Sequence, residues 1–272
     1  MSAGRDPDER RRPRTAAYLL GVGRADRAAP RRAVPPIPGA GPLRVVTAAG
    51  LAAVLCDVEV AALAGLSDPD PDAFELLADV ARAHDAILAA LAAEGPVLPL
   101  RLGTLLPDDA AVTAVLAANT VELTDELDRV AGHHEWAVTV HRIDTPAAAT
   151  AEVPEAGPVS GRAYLEARLA QLGARAHRRD ARARLADELH AALATTAVDA
   201  DRVSTRPLED VAPPLLHGVY LVTDDALPRF DEAVEALRAD HPEAVIDVSG
   251  PWPPYHFTTV DLGSGADPGA DG

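Results

Sequence analysis

The sequence predicts an α+β protein of two domains, and three observations predict it. Apolar residues alternate over short runs in some segments and recur at three- and four-residue spacings in others, so strands and helices both occur. From Trp136 onward the order is strand, long helix, weak strand, strand, helix, strand. That is the β-α-β-β-α-β order of a ferredoxin-like domain. Upstream, three strands, a helix, an extended segment and a second helix make a mixed α/β unit, and the pattern resets near Gly132. The expected division is a disordered tail over 1–14, an N-terminal domain over 15–132, a ferredoxin-like domain with a long helix over 133–262 and a second disordered tail over 263–272.

Each element has a local reason. Tyr18-Leu19-Leu20-Gly21-Val22-Gly23 reads as the first strand, and the prolines at 30, 35, 36 and 38 interrupt any regular structure between Arg24 and Pro42. Leu43 to Val46 and Leu51 to Val58 read as two strands around Ala49-Gly50. Asp68 to Asp72 is an Asp-Pro turn whose last residue can cap a helix over about 73–94, striped by Leu76, Leu77, Val80, Ile87, Leu88 and Leu91. Glu94-Gly95-Pro96 stops it. Val97 to Leu106 is extended, and a helix from Pro107 to about Ala131 follows. Glu135 to Ile143 alternates as a half-buried strand. Residues 145–158 are loop-like, and Ser160 can cap a helix over 162–196. At ~1.5 Å per residue it spans roughly 50 Å. Arg202 to Leu208 is a weak strand, His217 to Val222 a clear one, Pro228 to Asp240 a helix and Ala244 to Val248 the last strand.

Composition removes several kinds of chemistry. The chain has 272 residues, 25 arginines and no lysine, and its formal charge is −17. Without lysine there is no Schiff base and no phosphate-loop lysine. Such acidity disfavours broad contact with nucleic acid. Cys56 is the single cysteine, set in an apolar run, and reads as a buried small hydrophobe. No stretch is long and apolar enough to span a membrane, and Met1 to Arg14 lacks the apolar segment of a signal peptide, so a cytoplasmic setting is expected.

The usual catalytic and cofactor motifs are missing. Gly21-Val22-Gly23 follows a strand, but Asp26 holds the third glycine position and a proline-rich loop replaces the helix a dinucleotide needs. There is no G-x-S-x-G elbow, H-E-x-x-H or EF-hand loop. His133-His134-Glu135 reads as a surface loop between domains, since neighbours on a strand point to opposite faces. No cofactor, metal or catalytic set is expected.

Three features remain unusual. Gly95-Pro96-Val97-Leu98-Pro99-Leu100-Arg101-Leu102-Gly103-Thr104 puts an arginine inside an apolar extended segment, where it must find an acceptor, a carboxylate or backbone carbonyls, or its burial would cost several kcal/mol. Between Arg162 and His190 stand seven arginines against four acids, with Arg178, Arg179 and Arg182 as candidates for contact. Trp252, Tyr255 and Phe257 are three of nine aromatics, set among prolines in Gly250-Pro251-Trp252-Pro253-Pro254-Tyr255. That segment either closes over a core or forms a rigid aromatic contact surface.

With Tyr18-Leu19-Leu20-Gly21, Arg82 to Leu88, Glu135-Trp136-Ala137-Val138 and Ser160 to Leu165, these motifs stand in the order found in the gas vesicle protein F/L family, which the chain resembles over most of its length. Pro99, Arg101, Gly103, Thr104 and the Gly250 to Tyr255 segment are its most specific parts. Leu102, Leu105 and the strand from His217 depart from the family's usual residues. The resemblance implies a non-enzymatic accessory role in gas vesicle assembly. It also implies contact with the hydrophobic shell protein or other gas vesicle assembly proteins; charge and hydropathy lead to the expectation of no nucleic-acid or membrane partner. The rival readings are a minor structural component of the vesicle wall and a ligand-binding or enzymatic ferredoxin-like protein.

Overall fold

The structure, a computed structural model, describes residues 15–26, 32–60, 71–142, 161–204 and 213–258. Both expected tails, the 145–158 loop and the cap at Ser160 lie outside the described residues, as does the side chain of Asp72. The described chain is mixed α+β with two sheets and falls into two compact units. One holds the described residues up to His133 together with those from Trp252, and the other runs from His134 to Pro251.

In the first unit, β1 (Thr15–Arg24) is the spine. It pairs antiparallel with β3 (Leu51–Glu59), which pairs with β2 (Arg44–Ala48) across a two-residue turn. Ala49 and Gly50 both have positive φ, at 51° and 81°. Two positive values are what a tight hairpin turn of this hand requires. On its other edge β1 meets β4 (Val97–Pro99) and β5 (Leu105–Leu106), giving the order β2-β3-β1-β4 with β5 also on β1.

Both faces of this sheet are covered. Tyr18 and Leu20 of β1 and Val54 and Cys56 of β3 point to one core with Val80, Ala83, Ile87 and Leu88 of α1 (Pro71–Ala92). Leu19 and Val22 point to the other with Val112 and Leu116 of α2 (Asp109–Ala118) and Leu123 and Leu127 of α3 (Thr120–Arg129). The sequence suggests one helix where α2 and α3 stand. The break is at Asn119, whose side chain donates to the Val115 carbonyl at 2.8 Å, while Thr120 Oγ1 reaches the Leu116 and Ala117 carbonyls. Short polar side chains at a helix end compete with the backbone ladder in this way. Arg44 ties β2, β3 and α2, donating to Asp57 at 2.5 Å and Asp109 at 2.6 Å.

In the second unit the elements run β6 (His133–Arg142), α4 (Gly161–Ala194), β7 (Asp199–Arg202), β8 (Leu216–Thr223), α5 (Leu227–Asp240) and β9 (Ala244–Trp252). The sheet order is β7-β8-β6-β9. Leu189 and Leu193 of α4 and Phe230, Val234 and Leu237 of α5 pack on Val138, Val140, Tyr220 and Val222. Three local readings change. A strand lies at Asp199–Arg202, ending at the start of the expected Arg202 to Leu208, of which 205–208 lie outside the described residues. His133 to Glu135 begins a strand instead of forming a loop. Glu135 is buried there, and His134 Nε2 stands 3.1 Å from Asp224. The last strand continues through Pro251, which an edge strand tolerates because it has a side with no partner to donate to.

The residues after Trp252, expected in the C-terminal domain, group with the first unit. Tyr255 Oη donates to Asp85 at 2.9 Å, Arg129 donates to the Phe257 carbonyl, and Phe257 is buried. No described helix is long and apolar enough to cross a membrane.

Candidate functional site

The family-like motif Val97 to Thr104 does something unusual against β1. Leu100 N–H donates to the Leu20 carbonyl, and Leu19 N–H donates to the Thr104 carbonyl. Thus β1 advances by one residue while the facing chain advances by four. Arg101, Leu102 and Gly103 are extruded as a turn closed by Thr104, whose N–H and Oγ1 both donate to the Arg101 carbonyl, at 3.1 and 2.7 Å. Gly103 has φ 85°, a value that favours glycine at this place in a turn. On its other edge β1 shifts register against β3 at the same point, between Leu19 and Gly21. Two successive residues, Leu20 and Gly21, therefore face α1. A Cβ at Gly21 would stand 2.8 Å from Leu88 Cδ2 and 3.0 Å from the Leu98 carbonyl, so only glycine fits.

Arg101 is corrected by this geometry. It is exposed at the start of the turn and needs no buried acceptor. Pro99 is buried in β4. Tyr18 holds the base of the turn. Its hydroxyl donates to His84 Nδ1 at 2.7 Å, and His84 Nε2 donates to the Leu100 carbonyl at 3.2 Å. Since a carbonyl only accepts, the neutral His84 ring carries its proton on Nε2 and leaves Nδ1 to accept from Tyr18. Burial lowers the His84 pKa, against smaller opposing effects of Asp85 and the Leu100 carbonyl. Burial likewise raises the Tyr18 phenol well above its ordinary range, with a backbone hydrogen bond from Gly103 opposing.

Beside the turn lies a pocket of about 160 Å³. Tyr18 and Val58 of the sheet, Ile37 of the following loop, Leu77 and Val80 of α1 and Leu102 of the turn line it. The lining carries no charge, and its one polar side-chain atom, the Tyr18 hydroxyl, is already bonded to His84. Leu76 and Leu102 at the pocket are exposed, as is Phe74 on the same helix. The chemistry of such a lining suits an apolar group. Cys56 sits inside the core, where burial raises its thiol pKa to about 11, so it is an inert hydrophobe. Among the described residues no group of three or more His, Cys, Asp or Glu is placed to hold a metal.

The other sequence-selected residues lie elsewhere. Arg178 and Arg179 are exposed on α4, and Arg182 donates to the Pro213 carbonyl at 3.4 Å. Gly250 has φ 141°, and Trp136 ring atoms would stand about 2.9 Å from a Cβ there. Pro251 is exposed while Pro253 and Pro254 are buried, and Tyr255 packs on the first core. Trp252, at 37% exposure, is the one aromatic of the three left in the open, so the segment closes a core more than it displays a surface. Sequence reasoning missed Ile37, Val58 and the pocket role of Tyr18. The available signal was Leu102, an apolar residue beside a turn glycine.

The molecule is thus an α+β protein with an apolar pocket at a motif turn. Its family follows from comparison. A family model described as "Gas vesicle synthesis protein GvpL/GvpF" matches residues 16–259, and the chain belongs to that family. It is 35% identical over 197 residues to gas vesicle protein L of Streptomyces sp. (strain CB03234), covering 68% of this chain and 70% of that protein. With gas vesicle protein F of the same strain it shares 31% over 225 residues, covering 79% and 87%. The crystal structure of the gas vesicle protein GvpF from Anabaena sp. PCC7120 has the same fold, with a TM-score of 0.60 at 14% identity, covering 91% of this chain and 97% of that one. GvpF from Microcystis aeruginosa gives 0.60 at 15%, covering 89% and 98%. A role in gas vesicle formation follows from the family.

Proposed function

We propose that the chain serves gas vesicle assembly by holding an apolar segment of the hydrophobic shell protein in the pocket of its first unit. The observation that carries this reading is the pocket itself. It is uncharged, it is open beside exposed Leu76 and Leu102, and it is built on the turn whose sequence resembles the family's motif. An apolar side chain inserted there leaves water without displacing any hydrogen bond, since the Tyr18 hydroxyl is already satisfied. Burying a Leu-sized group stabilises by about 2 kcal/mol. Other assembly proteins with an apolar segment are further partners under the same chemistry. No step in this role is catalytic.

The test is capture of the purified shell protein by the wild type and by Leu102→Asp. Leu102 is exposed, so the variant keeps its fold and loses capture. Full capture by the folded variant would remove the pocket from the interface. Deleting the gene, then examining floated cells by electron microscopy, tests the wider role; normal vesicles would sink it.

A further inference from the structure

A second surface lies in the other unit. Every described side chain from Tyr164 to Ala181 on α4 is exposed, and a Cβ at Gly173 would have nothing within 4 Å. At about 1.5 Å per residue this half of the helix extends roughly 30 Å. It is not polar all round. Leu165, Leu169 and Leu172 are 61%, 66% and 48% exposed, and Ala176 continues their alternating four- and three-residue spacing. That is the spacing of a coiled-coil seam. The same spacing runs on through Arg179 to Ala186 and Leu193, which lie in the core of the second unit. The seam is therefore the packed face of the helix continued beyond what it packs on.

Charge says what covers it. Arg168, Arg175 and Arg182 recur every seven residues along one edge of the seam, and Arg179 stands in its line. A second copy of this chain fits badly. Two copies side by side in one direction pair Arg175 with Asp180 but bring Arg179 against Arg179 inside the seam itself. In opposite directions their Arg168–Arg175–Arg182 edges meet. We infer that the exposed half of α4 docks an amphipathic helix of a partner protein, with a leucine-type seam and carboxylates along the edge that meets these arginines. This goes beyond the pocket and stands on α4 alone, so either reading survives failure of the other.

The experiment titrates the purified full chain into a labelled synthetic helix with a leucine seam, Glu along one edge and Gln along the other. A sister peptide carries Lys for Glu, and anisotropy is read at low and high salt. The Glu peptide binds roughly thirtyfold more tightly than the Lys peptide, and less so at high salt. Leu169→Gln with Leu172→Gln abolishes binding. Arg168→Glu, Arg175→Glu and Arg179→Glu together reverse the preference. All these positions are exposed, so circular dichroism stays unchanged. Equal binding of both peptides, binding of neither, or binding that survives the seam variant overturns the inference. So does sedimentation showing that the chain pairs with itself through the seam.

Discussion

Each unit carries a tyrosine on an inner strand whose hydroxyl meets a histidine of a long helix, and the two settings differ. Tyr18 and His84 join β1 to α1 at 2.7 Å, and Tyr220 and His190 join β8 to α4 at 3.0 Å. The ring pairs are nearly superposable in geometry, with centroids 5.7 and 5.5 Å apart and planes 43° and 42° apart. His84 is buried, and its second nitrogen is used on the Leu100 carbonyl; His190 is half-buried. Burial lowers both histidines, but Arg202 adds to the effect at His190 while Asp85 opposes it at His84. The same pair is a fully enclosed link in one unit and a rim contact in the other. What differs is what stands behind the histidine: a strand edge with a free carbonyl, or solvent.

The largest effect expected is steric. Gly21→Val drives a side chain into Leu88 and the Leu98 carbonyl, and destabilises the first unit by about 3 kcal/mol in denaturant titration. Gly218→Ala is the counterpart. Its Cβ would stand 2.5 Å from the Tyr220 hydroxyl, so the ring shifts and the His190 bond is lost at about 1–2 kcal/mol. Equal costs at the two glycines would mean that backbone and side-chain obstruction do not differ.

Next come the histidines themselves. His84→Ala orphans the Tyr18 hydroxyl and the Leu100 carbonyl and costs about 2–3 kcal/mol, whereas His190→Ala costs about 1 kcal/mol, because removing the half-buried imidazole opens the Tyr220 hydroxyl to water. Amide exchange resolved by unit reads both. Acid gives a smaller signal. His84 is held neutral below the ordinary value of 6.5. Its contribution is complete above pH 6.5 and shrinks as pH falls below it, because the unfolded chain takes the proton first. Stability of the first unit therefore drops on acidification through this window, and His84→Ala flattens that slope. An unchanged slope in the variant would assign the effect to other groups. Smallest of all, Leu102→Asp alters stability by less than about 0.5 kcal/mol, since the residue is exposed.

Much of this was legible in the sequence, for identifiable reasons. Strand and helix periodicity located most elements within a few residues, since each buries one face against a core. The α2–α3 break was hidden because Asn119 acts through hydrogen bonds to the preceding turn and leaves the apolar spacing intact. Arg101 misled because an unbroken apolar run in sequence need not be unbroken in space; the chain leaves the sheet at Leu100 and returns at Thr104. The pocket was illegible because Ile37, Val58 and Leu77 meet only through tertiary packing. The aromatic segment was visible as unusual, but its partners Asp85 and Arg129 are far away in the chain.

The paired irregularities of β1 have one more consequence. The shift against β3 and the extrusion of Arg101 to Gly103 occur at the same rung of the sheet, one on each edge of the strand. They form a single crease made from two stretches of sequence that are about eighty residues apart. Lengthening or shortening either stretch alone would put every later rung out of step, whereas changes within the extruded tip leave the ladder untouched. The Leu102 side chain at the tip can thus change what the turn grips without disturbing the sheet, while Leu20-Gly21 and the frame around the tip must change together or not at all.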